Sequence, residues 1–140
     1  MRCIKMYWLI LSLTTLLIWG FWGFFSKNAL NYLSWQQLTI ISVSASIPVY
    51  LLIYLRYRPS IPWGSHGFYL ALLIGVTSPI AMAFFYLALS LGKLSIVVPL
   101  TALYPIVTIP LSFFLLNEKI TLTRGLGIIF AIIAIIFFSI

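Results

Sequence analysis

The sequence predicts an all-α membrane protein: five transmembrane helices forming one domain over residues 1–140. Three observations carry that prediction. The first is composition, with 64% of residues hydrophobic, 6% charged and a mean hydropathy of +1.19. A soluble domain carries about a quarter of its residues as charges. This chain cannot cover a globule with polar surface, so its solvent is lipid. The second is spacing: the apolar residues fall in five runs, 6–25, 36–55, 67–90, 95–116 and 124–140. A helix needs roughly 20 residues to cross the hydrocarbon. The third is the absence of alternation. Ile128-Ile129-Phe130-Ala131-Ile132-Ile133 is apolar throughout, whereas a barrel strand alternates over about ten residues. Backbone amides in hydrocarbon need internal partners, so the runs are helices.

Taken in order, the first run follows Arg2 and Lys5, as a signal peptide would. It is longer than the roughly 7–15 residues of a signal core, and Trp19, Trp22 and Phe24 stand where a small-residue cleavage site would lie. It is read as a retained helix, closed by Ser26-Lys27-Asn28. The second run ends at Arg56-Tyr57-Arg58-Pro59. The third passes through Pro79 to a short turn at Gly92-Lys93, which makes the third and fourth helices expected antiparallel neighbours. The fourth carries Pro99, Pro105 and Pro110 and stops at Asn117-Glu118-Lys119. From Gly125 to Ile140 the last run rises only about 24 Å, so it is expected to draw Thr121 to Arg124 into its first turn.

Charge then sets an expected orientation. Eight Lys and Arg face a single acid, for a net charge of +7. With the N-terminus inside, the inner side holds Arg2, Lys5, Arg56, Arg58, Lys119 and Arg124, and the outer side holds Lys27 and Lys93. Short loops with this bias place the N-terminus inside and the C-terminus outside. The cations are dispersed among connections, not gathered on one face, so no nucleic acid partner is expected. The five Trp, at 8, 19, 22, 35 and 63, lie toward segment ends as interfacial anchors do.

Inventory disposes of most catalysis. Paired carboxylates need two acids, and Glu118 stands alone; a Ser-His-Asp arrangement needs an Asp, and there is none. Cys3, His66 and Glu118 are single residues that do not form a metal-ligand pattern, and Cys3 has no disulfide partner in the chain. Neither a glycine-rich phosphate loop nor any other cofactor motif is present. An enzyme is not expected, nor a metal or cofactor. Glu118 reads as the partner of basic residues at a helix end.

The prolines locate a candidate site. A proline inside a helix removes one backbone donor, so Pro79 releases the Gly75 carbonyl and Pro105 that of Thr101. Both distortions are expected near the bilayer midplane, where irregular backbone lines protein or a watered cavity. At 100° per residue, Thr101, Tyr104, Thr108 and Ser112 share an arc of about 80° on the fourth helix. Ser78, Met82 and Tyr86 span a comparable arc on the third. One reading is a weakly polar, aromatic-lined substrate cavity. The other is hydroxyls bonded to their own helix and tyrosines packed against neighbours. Gly127 and Ala131 form a small-xxx-small pair in the last helix, compatible with packing within or between subunits.

The order of these features resembles the EamA family of the drug/metabolite transporter superfamily, and one five-helix unit of it. The resemblance rests on Trp19-Gly20 with Lys27 following, on Ala88-Leu89 and Ser95, and on Tyr104-Pro105. It continues through Leu116-Asn117-Glu118-Lys119-Ile120-Thr121 to Gly127. Ala134 stands where a second glycine is common, and most members fuse two such units. The resemblance implies a multi-pass inner (plasma) membrane carrier of small organic solutes, often an exporter. An odd number of spans puts the two ends on opposite sides, so the expected partners are a second copy or a related five-helix chain, within the lipid bilayer. Related small multidrug proteins use a membrane-embedded Glu in their first helix. Here that helix offers only Ser12, Thr14 and Thr15 as polar residues, so coupling at such a carboxylate is not carried over. The rival expectation is a membrane accessory subunit of a transporter or lipid-flipping complex that does not itself transport.

Overall fold

The computed structural model describes residues 4–119 and 121–139. Arg2, Cys3 and Ile140 lie outside the described residues, as do the side chains of Lys5, Trp8 and Arg124. The secondary structure is helical: α1 (Ile4–Ala29), α2 (Trp35–Tyr57), α3 (His66–Leu91), α4 (Leu94–Thr101), α5 (Pro105–Leu116) and α6 (Leu122–Ser139). Four stretches are long and apolar enough to cross a membrane: Leu9–Ala29, Trp35–Tyr57, His66–Leu91 and Leu94–Leu116, the last comprising α4 and α5. Gly125–Ala134 is a shorter apolar helix within α6. The architecture is thus the all-α, roughly five-span membrane fold that the composition predicts.

Contacts group the chain into two compact units, Met1–Leu91 and Gly92–Ile140. In the first, α3 packs against both α1 and α2. Trp22 meets Phe85 and Tyr86, and Lys27 meets Leu89, so α1 and α3 run parallel. Ser42 meets Met82 at similar distances from the α2–α3 connection, so these two helices form an antiparallel hairpin. In the second unit α4 packs against α6.

Local chemistry explains the boundaries. Ser34 opens α2 with a capping box: its Oγ accepts from the Gln37 N–H at 3.3 Å, and its own N–H donates to Gln37 Oε1 at 2.9 Å. Arg58 closes α2 in the left-handed region (φ 42°), its N–H donating to the Tyr54 carbonyl at 2.8 Å, and Pro59 follows. Ser65 starts α3 by accepting from the Phe68 N–H at 3.1 Å. Asn117 ends α5 at φ 53°, a conformation that Asn tolerates better than most residues. α3 runs unbroken through Pro79, and α2 through Pro48.

Among the described residues few side chains are buried: Leu38, Tyr86, Leu89, Val97 and the polar Ser26. The helices are predominantly apolar on every side, broken only by scattered hydroxyls, as helices facing lipid are. Leu and Ile side chains gain little by leaving hydrocarbon for a protein interior, so close packing falls to aromatic contacts and small residues.

Candidate functional site

The polar stripe of α3 grades from open to sealed. Ser78 is exposed, and its hydroxyl donates to the Ile74 carbonyl at 2.8 Å. One turn on, the Sδ of half-buried Met82 lies 3.7 Å from the Ser42 hydroxyl, which also reaches the Thr39 carbonyl at 3.1 Å. Another turn on, Tyr86 is 1% exposed. Its ring lies 5.8 Å from that of Trp22, which stacks on Phe85 at 5.3 Å. Ser26, one turn beyond Trp22, is buried and donates to the Trp22 carbonyl at 2.7 Å. Just past this cluster the Lys27 ammonium donates to the Leu89 carbonyl in the last turn of α3.

The second unit holds the break in the fourth span. α4 stops at Thr101 and α5 starts at Pro105, with Ala102, Leu103 and Tyr104 in a turn between them. Pro105 has no N–H to give Thr101. The Thr101 carbonyl accepts instead from Tyr104 N–H at a long 3.4 Å, so it is not left free as the sequence suggests. Ile106 N–H goes to Leu103 at 2.9 Å, and the Ala102 carbonyl loses its helical donor in exchange. The vacancy moves one residue along because the tighter three-residue bonds shift the register.

Around this turn, Thr101, Tyr104 and Thr108 are exposed and Ser112 is half-buried. The Thr101 hydroxyl bonds back to Val97 and Val98, and that of Ser112 to Ile109 at 3.0 Å. A cavity of about 70 Å³ lies beside the break, lined by Ala102, Leu103, Pro105 and Ile106 and, from α6, Ile128, Ala131 and Ile132. Its lining is wholly apolar, so it offers a solute no orienting group. Ala131 lines this cavity yet stays exposed, and a side chain at Gly127 would meet nothing within 4 Å. Among the described residues, no three His, Cys, Asp or Glu side chains come together to hold a metal.

The sequence profile of a transporter family matches residues 6–140, nearly the full length. The chain belongs to the EamA-like transporter family. It is 33% identical over 132 residues to an uncharacterized protein of Methanocaldococcus jannaschii, covering 94% of this chain and 96% of that one. No solved structure matches it. As a member of this family the chain is a multi-pass membrane protein of transporter type.

The EamA-like motif residues have identifiable local work. Lys27 caps α3 through Leu89, and Tyr104-Pro105 forms the break between α4 and α5. Asn117 supplies the left-handed stop of α5, and Glu118 N–H donates to the Ser112 carbonyl at 3.3 Å. Reading the sequence alone missed Ser42 and the buried role of Trp22. The signal for Trp22 was present in Ser26, one helical turn on, and in Lys27 directly after it, a cation near the helix end. Ser42 carried no such signal, because its partner Met82 is distant in sequence.

Proposed function

We propose that this chain is a carrier of small organic solutes in the plasma (inner) membrane, not an enzyme, working as an oligomer of five-helix units. The observation that carries the reading is the interruption of the fourth span at Ala102–Tyr104. Non-helical backbone at membrane depth is tolerated against protein or a watered cavity. Transporters place their substrate sites at such breaks. On this reading the candidate solute contacts are Thr101, Tyr104, Thr108 and Ser112 of α4–α5 in one unit and, taken separately, Ser78 and Met82 of α3 in the other, while Tyr86, sealed against Trp22, supports α3 from within. Pro105 keeps the backbone irregular at the break, whereas α3 stays continuous through Pro79. Family membership supports the same reading.

Reconstitution tests it. Detergent-solubilised protein is screened for thermal stabilisation by amino acids, nucleosides, sugars and organic cations. The stabilising class is then offered to proteoliposomes. Solute-specific uptake by this protein alone is the expected result. Activity only when a partner is added makes the chain an accessory subunit and overturns the carrier reading. Single cysteines along α6 in a Cys3→Ser background report assembly. A parallel pair through Gly127 and Ala131 crosslinks at helical spacing along the helix, and an inverted pair crosslinks like residues only near its midpoint. No crosslink, a monomeric mass and retained uptake together sink the oligomer.

A further inference from the structure

We propose that the α2–α3 connection is a binding site for the phosphate of an anionic phospholipid, held by Arg56 and Arg58 and flanked by the rings of Tyr57 and Trp63. Both arginines are exposed, at the last turn of α2 and at its left-handed cap. The Arg56 guanidinium lies over the Tyr57 ring, 5.5 Å from its centre. Arg58 is held in place by its N–H bond to Tyr54 and by Pro59 behind it. Two guanidinium groups two residues apart suit a phosphodiester, because their planar forks bind oxyanions bidentately.

Charge singles out the occupant. There is no Asp or Glu anywhere in Met1–Leu91, and the one carboxylate side chain of the protein, Glu118, belongs to the other unit. No carboxylate side chain within their unit competes for Arg56 and Arg58, so both are open to an anion from outside it. Position identifies it as lipid. The connection joins two membrane-spanning helices, so it lies at headgroup level. It also presents apolar surface there: Trp63 is 76% exposed, Tyr57 73% and Ile61 43%. The Trp63 ring rests against Phe68, with centroids 5.1 Å apart. The Trp63 backbone N–H donates to the Ile61 carbonyl at 2.9 Å, and Gly64 turns the chain at φ 75°. An exposed Trp and Tyr in the same short connection as two exposed arginines is the pattern of an interfacial anchor with a headgroup preference.

The test uses the full chain in mild detergent, where insertion and topology no longer matter. Brominated phosphatidylglycerol or brominated phosphatidylcholine is titrated in. Quenching of Trp63 is obtained as the difference between the native protein and Trp63→Phe. Phosphatidylglycerol is expected to quench at markedly lower mole fraction. Arg56→Gln and Arg58→Gln should each reduce that preference about 5-fold, and the pair should reduce it to near that of phosphatidylcholine. Lys119→Gln should leave it unchanged. Circular dichroism and elution volume verify folding, and the single variants serve if the pair does not fold. Equal quenching by both lipids in the native protein overturns the proposal, as does a preference that survives loss of both arginines. Displacement of the lipid by inorganic phosphate at similar concentration would also overturn it, since the site would then hold free phosphate.

Discussion

The Lys27 ammonium donates to the backbone carbonyl of Leu89, 62 residues further along the chain. Leu89 is 0% exposed. Its carbonyl belongs to the last turn of α3, where helix carbonyls have no donor of their own and the helix dipole ends negative. The end of α1 thus supplies the cap that α3 lacks.

Removing that cation leaves a buried carbonyl with one fewer partner. Lys27→Met is expected to cost about 1–3 kcal/mol, the range for a buried acceptor deprived of its donor. Thermal unfolding in mild detergent should show a clear drop in melting temperature. Lys27→Arg, which keeps charge and donors, should recover part of it. An unchanged melting temperature for Lys27→Met would make the contact incidental.

Tyr86 and Ser78 lie on the same face of α3 and should behave differently. Tyr86→Ala empties a sealed site against Trp22 and should cost about 3–5 kcal/mol. Ser78→Ala removes an exposed hydroxyl bonded to its own helix and should alter stability by less than about 0.5 kcal/mol. If the α3 stripe contacts solute, Ser78→Ala lowers uptake with folding intact. Melting curves and proteoliposome uptake on the same preparations separate the two effects.

Pro105→Ala restores an N–H facing the Thr101 carbonyl. α4 and α5 are then expected to join into one continuous helix, raising the melting temperature and lowering uptake, a trade of activity for stability. Tyr104→Ala should lower uptake with near-normal folding, and Leu115→Ala should do less. Full uptake by Tyr104→Ala would mean that the α4–α5 stripe is ordinary packing.

Orientation is tested by fusion. Six cations on one set of loops against two on the other should place a C-terminal reporter on the outer side. Neutralising Arg56 and Arg58 should weaken that bias without preventing insertion, because four inner cations remain. Equal populations in both orientations would defeat the fixed topology.

Most of the helical architecture could be read from apolar run length, because hydrocarbon enforces helices wherever the run is long enough. The interruption of the fourth span could be read only in part. Pro105 announces a missing donor, but which carbonyl then goes without depends on the turn that forms, and Tyr104 N–H reaches Thr101 where a continuous helix would not allow it. For the same reason the angular arc that groups Thr101 with Tyr104, Thr108 and Ser112 applies within α5 and does not pass through the turn. Pro79 shows the converse: the same residue type leaves α3 continuous. The contacts between α1 and α3 depend on helix pairing, which apolar runs of uniform composition do not encode.

The hydroxyls of Ser78, Thr101 and Ser112 each have a single proton, and each gives it to a carbonyl on the preceding turn. What remains available on these oxygens is lone pairs. At these three positions the stripes are therefore one-sided in hydrogen bonding: the oxygens receive, and donation falls to the exposed hydroxyls of Tyr104 and Thr108. A molecule gripped at Ser78, Thr101 or Ser112 must bring its own protons, or first detach a hydroxyl from its helix.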